Sequence, residues 1–464
     1  MKMDYSTLVE KLSVARNIYS FVTELFISLS SEPVSSFSGE YATFVSKKTK
    51  VLHEIRALTD LIPNAMHADF VSWKNEWVNF LEDNKDDCKM ICYQTLKNFD
   101  DLAPRLLETS SSPLVNHGPL NEYTQQDAFL YISAPNSFFD KYFTQNKIRG
   151  GRQTVLHNAT GLNKCFKKFF VINKSSTNDY IPTVKLYRTK IFSGDEIKIG
   201  CSPFSCNPWF EEESIPDSDT FGIKYDVSLH STHNKQITDL IVLFDAHKVD
   251  IVTFPELALN SSSLKEIQVF LLRTELKYVK LICTGSCWND QKNEAYILSR
   301  DGTVLLKYQK KKSYQRYSKK KGVYISENIM PDPFVGLLDI PGVGRISYNI
   351  CYDYDNDDVE TLCSSVMMSN FMFVAAYSND THLMEGKATA NASLRGIATI
   401  LTNACAVTEN GQLISYIAEP VAENKHLISK NLLSFRKGDV CSDCKYCVKE
   451  AIISTKELAK AASK

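Results

Sequence analysis

The sequence predicts a mixed α/β protein: an α-helical N-terminal domain, then a larger domain in which strands and helices alternate. Three observations predict it. Apolar residues recur at helical spacing through residues 1–100. From residue 195 onward, short apolar runs alternate with helical patterns and hairpin signals. Three of those runs end in a chemically distinctive side chain, in the order Glu256, Lys310, Cys351. The boundaries expected from these patterns are 1–110 for the helical domain, 111–194 for a linker and mixed α/β connector, 195–435 for the α/β domain and 436–464 for a Cys-containing helical tail.

In the first domain, Thr7 and Glu10 have capping-box spacing. Leu8, Leu12, Ala15, Tyr19, Val22 and Phe26 then form one helical stripe. A second helix is expected from Glu40 to Leu61, closed by Pro63. A third carries Phe70, Trp73, Trp77 and Phe80 or Leu81 on one face. A fourth runs from Asp86 to Phe99, with Cys88 and Cys92 one turn apart on a packed face. Pro104, Ser110-Ser111-Ser112-Pro113 and Gly118-Pro119 read as a linker. Between 123 and 192 only Phe129–Ile132 and Phe169–Ile172 read as strands. There, Lys147, Arg149 and Arg152 surround Gly150-Gly151, a basic turn whose backbone N–H groups could hold phosphate. No Lys-Ser or Lys-Thr follows, so it is no P-loop.

The α/β domain opens with the strand Glu196–Cys201 and a long polar, acidic insertion, Glu211 to Asn234. A helix from Gln236 to His247 feeds the apolar strand Val249-Asp250-Ile251-Val252-Thr253-Phe254-Pro255-Glu256. A helix Leu264–Lys277 leads to the strand Val279–Cys283. Tyr296–Leu298 and Val304–Tyr308 flank the turn Asp301-Gly302. Ile346, Tyr348 and Ile350 alternate as a strand, and Asn356, Asp357 and Asp358 suit the start of a helix to about Ser369. Cys351 therefore falls at a strand-to-helix turn, where a helix N-terminus would favour a thiolate. A buried core cysteine fits the same stretch. The strand Phe371–Ala376, a helix His382–Gly396, the strand Ala398–Asn403 and strands near Leu413–Ile417 and His426–Leu433 close the domain. In the tail, Cys441, Cys444 and Cys447 have metal-ligand spacing, yet structural zinc takes four ligands, so plain thiols are expected. A lysine-rich helix is expected from Val448 to Lys464.

Composition narrows the functional classes. Lys and Arg total 53 against 54 Asp and Glu, so no global charge draws the 464-residue chain to nucleic acid or membrane. The 44% hydrophobic content is that of a globular protein of two to four domains. Met1-Lys2-Met3-Asp4-Tyr5 leads into a polar-faced pattern instead of a signal-peptide core. No apolar run reaches the ~20 residues of a membrane span. Thirteen cysteines without a compact disulfide framework suit a reducing compartment, so a cytoplasmic location is expected.

Glu, Lys and Cys, each at a strand end and in that order, resemble the nitrilase superfamily of carbon–nitrogen hydrolases over about residues 195–430. Thr284-Gly285-Ser286, Asn293-Glu294-Ala295 and the run Ala388 to Asn403 with Arg395 extend the likeness. The resemblance implies an α-β-β-α sandwich and a catalytic triad of Glu256, Lys310 and Cys351, acting on an amide or nitrile through an acyl-enzyme. It assigns Glu327 to supporting the lysine and Asp353 to a structural role. It implies no cofactor and no metal, a small-molecule amide or nitrile substrate, and self-association. Three consecutive lysines, Lys310, Lys311 and Lys312, leave the register open; Tyr308-Gln309-Lys310 fits the family's aromatic-basic-lysine pattern, with Gln309 where arginine is usual. Two features depart from the family. Tyr354-Asp355-Asn356 stands where an Arg-Phe-Pro-like run is expected. Lys311, Lys312, Arg316, Lys319, Lys320 and Lys321 also interleave with Tyr314 and Tyr317, a composition that can bind nucleic acid. A second expectation is therefore a nitrilase-like binding or assembly module, of the kind found beside reverse transcriptases in bacterial defence systems, where the polymerase or nucleic acid would be a separate partner.

Overall fold

The computed structural model describes residues 5–30, 34–62, 69–106, 114–117, 128–132, 162, 166, 168–192, 194–204, 208–319, 321–423, 426–439 and 447–454. The chain divides into two compact units, residues 1–135 with 156–179 and residues 136–155 with 180–464. The Gly150-Gly151 turn, Cys441 and Cys444 lie outside the described residues. Among the described residues, no helix is long and apolar enough to cross a membrane.

The first unit contains helices α1 (Tyr5–Ser13), α2 (Ile18–Ser30), α3 (Val34–Lys47), α4 (Thr49–Asp60), α5 (Phe70–Asp83) and α6 (Cys88–Leu106). The stripe from Leu8 to Phe26 is split between α1 and α2. Asn17 and Ser20 cause the break: Ser20 N–H donates to Asn17 Oδ1 at 2.8 Å, and Asn17 N–H donates to Ser20 Oγ at 3.1 Å. This reciprocal cap starts a new helix. The expected helix from Glu40 to Leu61 is likewise two, broken at Lys48. Asp69 caps α5 by accepting from Ser72 N–H. Strands β1 (Ala128–Ile132) and β2 (Phe169–Asn173) pair antiparallel, and their apolar faces join the helical core. At its centre Phe21 stands edge-on to Trp73 and Trp77, each centroid 5.0 Å away. Both indole N–H groups are paired, Trp73 to Leu58 O and Trp77 to Thr95 Oγ1. Cys88 and Cys92 are buried in the same core.

The second unit is built on three sheets. One runs β3 (Ile181–Tyr187), β13 (Phe334–Ile340), β14 (Gly344–Ile350), β15 (Phe371–Ala376), β16 (Ala398–Asn403), β17 (Leu413–Glu423), β18 (His426–Arg436). Its centre, β14 to β16, is parallel, and these strands are buried along almost their whole length, as parallel strands usually are. The second sheet runs β10 (Val304–Gln309), β9 (Lys292–Ser299), β8 (Leu281–Asn289), β7 (Ile251–Thr253), β4 (Glu196–Cys201), β19 (Lys449–Ser454). Helices α7 (His230–Ala246) and α8 (Ser263–Arg273) pack on it through Ile237, Leu240, Phe244, Ile267 and Leu271. The two sheets touch: Tyr348 of β14 accepts from Gly285 N–H of β8 at 3.1 Å, and Thr253 meets Thr402 hydroxyl to hydroxyl.

Two expectations are corrected here. Of the helix expected from Val448 to Lys464, the described part is strand β19, antiparallel to β4, with Ile453 buried and Glu450 paired to Lys198 and His247; residues 455–464 lie outside the described residues. Pairing with an otherwise open sheet edge overrides the local helical pattern. The polar, acidic insertion expected from Glu211 to Asn234 ends earlier, where α7 starts at His230, and within it β5 (Phe210–Ser214) and β6 (Thr220–Tyr225) form a hairpin. With β11 (Gln315–Ser318) and β12 (Val323–Glu327) they build the third sheet, in the order β11-β12-β6-β5.

Candidate active site

Lys310 and Cys351 lie immediately beyond the C-terminal ends of β10 and β14, Glu256 lies three residues beyond the end of β7, and Glu327 is the last residue of β12. The structure brings all four together. Lys310 Nζ lies 2.8 Å from Glu256 Oε1 and 2.7 Å from Glu327 Oε2. The Cys351 thiol lies within electrostatic range of Glu256 and Lys310, and it donates a long hydrogen bond to the Tyr377 carbonyl at 4.0 Å. Every one of these side chains is buried, Lys310 to 2% exposure and Cys351 to 6%.

Local chemistry explains each placement. Glu256 sits in a turn held by Thr284-Gly285-Ser286: Leu257 N–H donates to Ser286 Oγ, and Leu259 N–H to the Ser286 carbonyl. Gly285 has φ +75°, and a Cβ there would lie 2.1 Å from the Pro255 carbonyl oxygen, so only glycine lets the turn come this close. Lysine register is decided by Asp353. Its carboxylate accepts from the N–H groups of Lys311 and Lys312 and from Tyr308 Oη at 2.7 Å. With the backbone pinned there, Lys310 turns into the site, Lys311 buries its ammonium 5.1 Å from the centre of the Tyr308 ring, and Lys312 pairs with Asp358. Gln309 ties the strand end to the Met330 carbonyl. Arg395 takes no part: it pairs with Glu360 and Asn391.

Cys351 has φ +46° and ψ −106°, a conformation that L-residues avoid. Backbone strain of this kind costs about 1–3 kcal/mol and persists where the surroundings over-determine it, typically at functional sites. Ala375 O and Tyr354 N–H bond the Cys351 backbone on its two sides and hold the turn.

Burial sets the electrostatics. It pushes the Cys351 thiol well above the usual range, and Glu256 adds to the push, while Lys310 and a backbone hydrogen bond from Tyr377 work against it. The thiolate expected from a helix N-terminus is thus overturned: the helix after Cys351, α9 (Tyr352–Asp355), is a single turn, and desolvation wins. Burial raises the Glu256 carboxyl as well, partly offset by Lys310 and reinforced by Glu327. Burial disfavours the Lys310 charge, but Glu256 and Glu327 outweigh it and hold the ammonium well above the ordinary lysine range. Asp353 is pushed up to about 6 by burial despite its three donors.

Sequence reasoning missed what surrounds the cluster. Asn293 Nδ2 donates to Glu256 Oε1 at 2.9 Å and to Glu327 Oε1 at 3.2 Å. Tyr314, 38% exposed, lies within electrostatic range of Cys351, Glu212 and Arg316, and it contacts the Tyr352 ring. Arg316 is ion-paired to Glu212, and Lys321 reaches the Ser218 carbonyl, so part of the basic stretch ties β11 and its following turn to the β5–β6 hairpin. Only Asn293 had left a trace in the sequence, through its Asn-Glu-Ala motif.

No family model matches the sequence, and no curated protein matches it. Solved structures do match, among them an amidase and a member of branch 10 of the nitrilase superfamily. An amidase from Nesterenkonia sp. is 13% identical with a TM-score of 0.39, the match covering 58% of this chain and 94% of that one. Nit3 of Saccharomyces cerevisiae, a member of branch 10 of the nitrilase superfamily, is 13% identical with a TM-score of 0.37, covering 59% and 95%. A variant of the Nesterenkonia sp. AN1 amidase carrying the acetamide moiety of fluoroacetamide at its active site cysteine is 12% identical with a TM-score of 0.39, covering 60% and 96%.

Proposed function

We propose that this protein is a cysteine-dependent hydrolase of a non-peptide carbon–nitrogen bond, an amide or a nitrile, built on a nitrilase-like α-β-β-α sandwich. The observation that carries the reading is the buried cluster in which one ammonium bridges two carboxylates, within electrostatic range of a thiol on a strained turn. Glu256 takes the Cys351 proton as sulfur attacks the amide carbon, so no free thiolate need accumulate. Lys310 and the N–H of Tyr352, one of the donors that a helix start leaves unpaired, stabilise the oxyanion. Glu256 then gives its proton to the leaving amine as the C–N bond breaks, leaving a thioester. Water, deprotonated by Glu256, attacks that thioester and releases the acid and the thiol. Glu327 holds Lys310 from the side opposite Glu256. Asp353 fixes the lysine backbone and takes no part in proton transfer.

Because Glu256 must be ionised to accept the first proton, kcat/KM rises with pH through a pKa above the ordinary 4.5. The test is intact-mass screening of the protein against amide, nitrile and carbamoyl libraries. An acyl adduct at Cys351 is expected, and Cys351→Ala abolishes it with turnover down about a million-fold. Adducts retained in that variant would refute the assignment.

One observation favours the second reading, a binding or assembly module: Cys351 is enclosed, only 6% exposed. Complete absence of adducts with small electrophiles, in folded protein, would favour it.

A further inference from the structure

Asn293 lies on β9 opposite Lys310, whose backbone N–H donates to the Asn293 carbonyl at 2.8 Å. Its side chain is fully buried and donates to both carboxylates of the cluster, at 2.9 Å to Glu256 and 3.2 Å to Glu327. Lys310 bonds the same two groups. The four side chains therefore close a ring of hydrogen bonds: Lys310 to Glu256, Glu256 to Asn293, Asn293 to Glu327, Glu327 to Lys310. On Glu256, both ring bonds fall on Oε1, so neither occupies Oε2. Asn293 Oδ1 is buried without a hydrogen-bond partner. The amide cannot be turned the other way, because a carbonyl oxygen would then face two carboxylates. An orphaned buried acceptor is unfavourable, and a site that retains one keeps it for what the other end of the group does.

We propose that Asn293 is a positioning residue of the hydrolase site: a neutral clamp that holds both carboxylates around one lysine and aims Glu256 at the thiol. The proposal rests on the hydrolase reading above. Two carboxylates sharing a single buried cation carry a net negative charge, and such a pair readily takes up a proton. A proton on Glu256 would leave Cys351 without a base. Asn293 supplies a donor to each carboxylate and adds no charge of its own.

The experiment follows iodoacetamide labelling of Cys351 against pH, by peptide mass, in the full-length protein with Cys351→Ala as background. Melting temperature and circular dichroism are recorded for every variant. Asn293→Leu, close in shape and without donors, is expected to label about 100-fold more slowly at neutral pH through the lost aim of Glu256. Its rising limb is expected to move to higher pH by about one to two units, because an ionised carboxylate has lost a donor. Asn293→Asp, the isosteric second variant, is expected to lose reactivity as pH rises and a third carboxylate ionises. Wild-type rates and pH profiles in both folded variants would overturn the clamp, as would losses that only track a lower melting temperature. A wild-type Cys351 that takes no label while other cysteines do would overturn the hydrolase reading itself, a result told apart by the parent protein alone.

Discussion

Two buried clusters in this molecule are put together on opposite terms. In the helical unit, Phe21, Trp73 and Trp77 meet edge to face, and each indole N–H finds an acceptor. Burial there releases apolar surface from water and leaves little unsatisfied. In the second unit, Lys310, Glu256, Glu327, Cys351 and Asn293 are buried just as deeply, yet they hold charge, a strained backbone and an orphaned amide oxygen. Desolvating such ions costs several kcal/mol each, which mutual attraction must offset. The difference teaches where to look for function: a cluster that stability alone would not select is the place to test for chemistry.

Substitutions can sharpen that contrast. Lys310→Met should reduce turnover about 100- to 1000-fold by removing an oxyanion donor. It should also destabilise the protein by about 3–5 kcal/mol, since two buried carboxylates lose their cation; steady-state kinetics and urea titration measure the two effects. A variant that is both stable and active would erase the distinction drawn here. Trp77→Ala should cost about 3–5 kcal/mol by urea titration, with turnover per folded molecule unchanged. The smallest effect is the strain at Cys351. Cys351→Gly should be more stable than Cys351→Ala by about 1 kcal/mol, the relief at φ +46° less the extra chain entropy of glycine. Equal melting temperatures would mean that the turn stores no strain.

Much of the site was legible in the chain. Phe-Pro-Glu, Tyr-Gln-Lys and Ile-Cys-Tyr-Asp each follow an apolar run with period two or continuous burial; the observed strands β10 and β14 end one residue before Lys310 and Cys351, and β7 ends three before Glu256. Asn356 reads as a cap and is one, accepting from Asp358 N–H. Less legible was anything that depends on a distant partner. The acidic run Glu211-Glu212-Glu213 has no apolar alternation, because β5 exposes these side chains in the third sheet. Strands β3 and β13 gave no clear local signal, and they pair parallel to one another across about 150 positions of sequence.

Local periodicity and turn chemistry were enough to determine the helical character of the first unit, the alternation of the second, and the order in which a carboxylate, an ammonium and a thiol leave their strands. Those features depend on neighbours a few residues apart, and a chain carries that information openly. Tertiary structure alone decided which of three lysines turns inward, that a tail would become the edge strand β19, that Asn293 would lie between two carboxylates, and that Cys351 would rest as a thiol. Each of those outcomes follows from burial and from partners tens to hundreds of residues away, which no stretch of sequence contains.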